Sequence, residues 1–153
     1  MRFSEVETPW SGRSRPRSTR HRAQAGRAVL RPADRDLHLE TFIVNELAKQ
    51  ATWSDSSVRL HHWRVSGGAE VDIVLERNDG QIVAIECKAA DTVTGDDFRG
   101  MAVLHGLLGP QFVHGIVLHT GRQGALRFGD RMVSLPIAAL WETTPRPPGS
   151  LLG

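Results

Sequence analysis

Asp72 is followed, after thirteen intervening residues, by Glu86-Cys87-Lys88. If Asn78-Asp79-Gly80 closes a three-residue hairpin loop, with glycine in the left-handed position, Arg77 pairs with Gln81. Stepping along the strands, Asp72 then faces Glu86 and Glu70 faces Lys88. Two carboxylates opposed across a strand pair repel each other unless a cation lies between them. A hard divalent ion such as Mg²⁺, with Mn²⁺ as a substitute, takes such a pair together with a backbone carbonyl, waters and a phosphate oxygen. Lys88 shares the face of Glu86, where an ammonium orients an attacking water or neutralises charge gathering on phosphorus. Glu40, from an upstream helix, adds a metal ligand or accepts a proton from that water. The plainer alternative is a cross-strand Glu70–Lys88 ion pair, with Asp72 and Glu86 solvated on an open sheet face.

Those residues need a scaffold, and the periodicity supplies one. Pro32 and Asp34 or Asp36 start a helix, and Leu37 to Ala51 has helical spacing. Ile43, Val44, Leu47 and Ala51 share a stripe with Glu40, which places that carboxylate in the middle of the buried side. Strands are expected at Val58 to Val65, Ala69 to Glu76 and Gln81 to Lys88. In this register Val71, Ile73, Leu75, Val83, Ile85 and Cys87 form one wholly apolar face. A second helix, capped at or near Asp96, runs to Leu108 and is broken by Gly109-Pro110. Phe112 to His119 is a nearly continuous apolar strand, as suits burial beside a parallel neighbour. Met132 to Leu135 adds a hairpin strand, and a closing segment runs through Trp141. The order is α-β-β-β-α-β with extra β structure after it, an α/β fold with a mixed sheet.

Other residues attract plainer readings. His61 and His62 are adjacent and point to opposite faces, as do His114 and His119. His105 shares a stripe with Phe98, Met101 and Ala102 and reads as a core histidine. Asp91, Asp96 and Asp97 read as loop and cap residues. Trp63 and Arg64 border the site, and packing accounts for Trp63 as well as contact with a nucleotide does.

The chain has 153 residues and a net charge of +2, divided unevenly. Residues 1–33 hold eight Arg and two acids, a balance of +6, and residues 34–153 balance at −4. The first stretch, rich in Arg, Ser, Pro and Gly, is expected to be a disordered leader, with nucleic-acid binding as its functional alternative. Residues 143–153 are expected to be a disordered tail, leaving one domain over 34–142. An acidic domain is a poor clamp for nucleic-acid phosphates by itself. The lone Cys87 excludes an internal disulfide and a cysteine-based zinc cluster. No stretch is long and apolar enough to span a membrane, so no membrane partner and a cytoplasmic setting are expected.

The spacing from Asp72 to Glu86-Cys87-Lys88, with Glu40 on the first helix, resembles the D…(D/E)xK signature of the PD-(D/E)XK nuclease superfamily. A closer resemblance runs from Leu37 to Trp141. Leu39-Glu40-Thr41-Phe42-Ile43-Val44-Asn45-Glu46-Leu47, Trp63-Arg64, Glu70 to Glu76, Ala84 to Ala89 and Leu135-Pro136 are similar to the C-terminal domain of a prokaryotic family of AAA-type ATP-binding proteins, domain of unknown function 4143. The resemblance implies a restriction-endonuclease-like fold and a Mg²⁺-dependent nuclease, with Glu40, Asp72, Glu86 and Lys88 catalytic. Asp72, Glu86, the Cys87 backbone carbonyl and Glu40 would be its metal ligands. Relatives carry an ATPase ahead of this domain, whereas this chain has no G-x-x-x-x-G-K-[ST] loop and hence no ATP site. It is expected to be a detached C-terminal module, with DNA and an ATPase subunit as possible partners. The rival expectation is a non-catalytic nuclease-fold module, for interaction or DNA binding, or a truncated remnant.

Overall fold

The computed structural model describes residues 4–5, 32–66 and 68–142. Helix α1 spans Pro32–Trp53. Proline opens it because the N–H that proline lacks has no partner in a first turn anyway. Three strands follow as a meander: β2 (Val58–Arg64), β3 (Glu70–Arg77) and β4 (Ile82–Lys88). A 3₁₀ turn at Gly95–Phe98 leads into α2 (Arg99–Leu108), and β5 (Phe112–His119) returns to the sheet. The hairpin β6 (Leu126–Arg127) and β7 (Met132–Pro136) completes it, followed by a 3₁₀ turn at Ile137–Leu140. Strand β1 (Ser4–Glu5) pairs with β2 at His62 and His61. Within the leader expected over residues 1–33, the described residues are Ser4–Glu5, in β1, and Pro32 and Ala33, at the start of α1. The rest of that stretch and the expected tail at 143–153 lie outside the described residues.

The strands form one seven-stranded sheet in the order β1-β2-β3-β4-β5-β7-β6. β5 lies between two parallel neighbours, β4 and β7, and the remaining pairings are antiparallel. The α-β-β-β-α-β order and mixed sheet are those read from the sequence.

The β3–β4 hairpin adopts the register set by Asn78-Asp79-Gly80. Arg77 and Gln81 close the loop, Gly80 has φ +81°, and Ile73 pairs with Ile85. Both faces of the sheet are covered. Ile73, Leu75, Val83, Ile85 and Cys87 pack with Ile43, Val44 and Leu47 of α1. Val74, Ala84, Val117 and Trp63 pack with Met101 and Leu104 of α2. An open polar face is thus excluded at these strands.

Val71 departs from the expected apolar set, because it packs on the α2 side although Ile73 packs on the α1 side. Residues two apart normally share a face. The cause is a slip in the β2–β3 register: His61 pairs with Val74 but Trp63 with Val71. His62 alone therefore stands against Asp72 and Ile73, the geometry of a β-bulge. The bulge lies at the first carboxylate of the proposed site.

Candidate functional site

At the C-terminal end of β4, the strands, the first turns of α1 and the 3₁₀ turn at Gly95–Phe98 enclose an open cleft of about 440 Å³. Glu40, Asp72, Glu86, Cys87 and Lys88 all line it, joined by Asp36, Glu70, Asp97 and the Ala89-Ala90 backbone. Two close approaches build its walls. Asp36 Oδ1 accepts a hydrogen bond from the Ala89 N–H at 2.9 Å, tying the start of α1 to the end of β4. On the other side Gly100 lies so near β3 that a Cβ there would come within 1.9 Å of the Glu70 carbonyl oxygen. That contact holds the start of α2, and with it Asp97, beside the cleft.

Asp72 is fixed by the bulge. Its carbonyl lies 3.2 Å from His62 Nδ1, and its Oδ2 accepts the Cys87 N–H at 2.8 Å, a side chain answering a backbone donor. Burial pushes the Asp72 carboxyl up to about 6; the Glu40 and Glu70 charges add to this, while the Cys87 hydrogen bond and His62 oppose it. Glu86 is pushed further, to about 8. Burial leads here too, followed by the charge of Asp72, with Glu70 and Asp97 adding to it against a hydrogen bond from the Asp72 backbone. Burial and the surrounding carboxylates of Asp72, Glu40, Glu86 and Asp36 raise the Cys87 thiol far above its ordinary range, which makes it an inert thiol.

Glu40 is half-buried and lines the cleft, on the side of α1 that packs on the sheet. Leu39, Val44 and Leu47 pack there with the buried Ile43. Lys88 does not pair with Glu70, as strand opposition suggested. Glu70 pairs with Arg64 across β2 at 3.3 Å, while the Lys88 ammonium binds Asp97. The exchange follows from the covered face, because the turn into α2 brings Asp97 over the end of β4.

Asp97 is the residue that sequence reasoning passed over. Its Oδ2 accepts hydrogen bonds from the Thr94 N–H, at 2.7 Å, and hydroxyl, at 3.1 Å, and its Oδ1 takes Lys88. Burial alone would raise the Asp97 carboxyl, but these donors bring it below the usual carboxylate value. The Thr94-x-x-Asp97 pattern is a cap signature visible in the sequence. Its second partner, nine residues back, is not. Thr94 is the N-cap of the 3₁₀ turn, and Phe98 holds that place for α2, so Asp96 caps neither.

The remaining histidines are placed elsewhere. His105 contacts the Phe112 ring at 4.9 Å, His61 pairs with Glu76, and His114 is exposed whereas His119 is buried. Trp63 is a core residue.

The donors around the cleft are carboxylate oxygens and peptide groups, the hard set that Mg²⁺ or Mn²⁺ prefers. Among the described residues, no group of three or more His, Cys, Asp or Glu side chains is drawn together tightly enough to hold an ion by protein ligands alone. Asp72 and Glu86 both line the cleft, and a set of few carboxylates suits an ion that keeps several waters. The donor set fits the expected metal in that open form.

An α/β domain with a carboxylate-lined cleft at a strand end is the class that fold and site define. Residues 36–140 match the family model described as "Domain of unknown function (DUF4143)", and the chain belongs to that family. No curated protein and no solved structure matches the chain. No helix among the described residues is long and apolar enough to cross a membrane.

Proposed function

We propose that the cleft is a Mg²⁺-dependent phosphodiesterase site acting on nucleic acid. One observation carries this reading: two half-buried carboxylates, Asp72 and Glu86, line one cleft and are pushed up chiefly by burial and further by neighbouring carboxylates, with the ammonium of Lys88 in the same cleft. Such an arrangement opposes folding unless it serves a ligand, and perturbed carboxylates clustered in a cleft mark functional sites. Asp72, Glu86 and the Cys87 carbonyl would hold the ion, with Glu40 as a further ligand or as the acceptor of a proton from water. When bound, the ion would supply Lewis-acid polarisation of the phosphoryl oxygens and a more acidic water. Lys88 contributes positive charge where negative charge develops on phosphorus. Water adds to phosphorus, the ester oxygen leaves, and the products are a phosphate monoester and a hydroxyl end. The resemblance to the PD-(D/E)XK nucleases supports the same residue roles, and the family's ATPases suggest an ATPase as working partner.

A second reading, a non-catalytic module for protein or DNA contact, rests on charge. Among the described residues Lys88 is the only basic side chain lining a cleft that holds six carboxylates, so a polyanion is repelled unless cations enter with it.

The test is cleavage of single- and double-stranded DNA and of RNA by the full chain with Mg²⁺ or Mn²⁺. Wild type should cut at least one of them, and Lys88→Ala should abolish cutting while keeping the metal-induced rise in melting temperature. A wild-type protein that cuts none of them, yet still responds to the metals, leaves the non-catalytic module as the better account.

A further inference from the structure

Lys88 and Lys49 are the only lysines of a chain that otherwise uses arginine for positive charge. They sit in opposite circumstances. Lys49 lies on the outer side of α1, with its side chain 63 % exposed and a 3.4 Å contact to Glu46 one turn away. Lys88 is 34 % exposed and bound to Asp97, whose own side chain is 12 % exposed. Asp97 has no freedom to follow a moving lysine, because its other oxygen is held by two donors of Thr94. The turn that carries both is held against β3 by the Gly100 contact.

We infer that Asp97 is a positioning residue that presets the Lys88 ammonium at the cleft, in place to meet a phosphate group of the substrate. A lysine stem has four rotatable bonds, and freezing them only when the substrate arrives would subtract from transition-state stabilisation. An anchored carboxylate meets that cost on folding. It also leaves Lys88 donors free, since an ammonium has three and Asp97 Oδ1 takes one. The inference rests on the phosphodiesterase reading for the identity of the group that Lys88 meets. The Lys88–Asp97 pairing itself does not depend on that reading.

With two lysines, ¹⁵N-lysine labelling of the full chain gives two ammonium resonances, so each is assigned by substitution of the other. In wild type the Lys88 ammonium should exchange with water more slowly than that of Lys49. Asp97→Asn keeps an acceptor for Thr94 and removes the ionic partner, so Lys88 exchange should rise to the Lys49 rate. Thr94→Val weakens the cap without touching the charge; it should lower the melting temperature yet leave the Lys88 signal protected. With whichever of DNA or RNA is cut in Mg²⁺, Asp97→Asn should lower kcat by about 10- to 100-fold with KM nearly unchanged, the scale of losing a supporting partner. If wild-type Lys88 exchanges as fast as Lys49, the inference is overturned, and that measurement stands even should Asp97→Asn fail to fold. If wild type cuts and Asp97→Asn cuts equally well, the inference is wrong and the phosphodiesterase reading survives. If wild type cuts nothing, that reading fails, and a Lys88 signal that stays protected in Asp97→Asn overturns the inference as well.

Discussion

The two ends of the β3–β4 hairpin use the same residue types in opposite ways. At the turn, Arg77 binds Asp79 and Gln81, and Asp79 also accepts the Gln81 N–H at 3.1 Å. Everything there is solvated, every charge has its partner, and the Asp79 carboxyl is held down at about 2, mainly by its hydrogen bond to Arg77. At the other end, Asp72 and Glu86 are half-buried, lie among other carboxylates and are pushed up to about 6 and about 8. The turn end fixes register and keeps its charges comfortable. The cleft end keeps two charges uncomfortable in the very register the turn enforces.

The largest effect expected from that contrast belongs to Glu86. Its folded value lies above the ordinary carboxylate value of 4.5, so the folded protein holds the proton more tightly than the unfolded chain. Its contribution to stability is full below that ordinary value and is lost as pH rises towards about 8, at up to about 1.4 kcal/mol per pH unit. Glu86→Gln should therefore change the urea midpoint little at pH 4 and raise it clearly at pH 8.5. A variant less stable than wild type at pH 8.5 would show that Glu86 makes a native interaction as a carboxylate.

Next comes Asp72, where two variants separate charge from hydrogen bonding. Asp72→Asn keeps an oxygen for the Cys87 N–H, whereas Asp72→Ala orphans that donor. The Asn variant should be more stable than the Ala variant by about 1–3 kcal/mol. It should also exceed wild type above pH 6, because the raised Asp72 value carries the same sign as that of Glu86. Equal stability of the Asn and Ala variants would mean that the Cys87 hydrogen bond contributes nothing.

The smallest effect is at the turn. Asp79 has the opposite sign: its contribution is present above the ordinary value of 3.8 and is lost as pH falls towards about 2. As an exposed pair it is weak and screened by salt. Asp79→Asn should lower the melting temperature slightly at low ionic strength and not measurably in 0.5 M salt, while leaving every metal response intact.

The turn end was the legible end. Asn78-Asp79-Gly80 is a local signal, and it fixed the pairing of Ile73 with Ile85 and the element order around it. The bulge at Asp72 was hidden because it arises from β2, where no glycine or proline marks the slip between His61 and Trp63. It moved Val71 to the other face without altering the hairpin. Covering of both faces was hidden for a related reason: strands beneath helices and strands beneath water can share the same alternation. Asp97 was half legible, since its cap pattern is local but its grip on Lys88 depends on how the turn crosses the sheet. Strand β1 rests on two residues, too few for any periodicity to show. Glu40, Asp72, Glu86 and Lys88 were found because type and spacing restrict them, and the structure sets them around one cleft.

The central claim is that the uncomfortable end of the hairpin is a cation site, and a melting experiment tests it most directly. Wild type, Glu86→Gln and Asp79→Asn are heated at pH 7.5 without metal and with millimolar Mg²⁺ or Mn²⁺. A cation bound only by the folded state stabilises by about 2.7 kcal/mol at a hundredfold excess over its dissociation constant. The account predicts a rise in melting temperature with metal for wild type and Asp79→Asn. It predicts a metal-independent and higher starting value for Glu86→Gln. A wild-type protein that melts at the same temperature with and without both metals would contradict it.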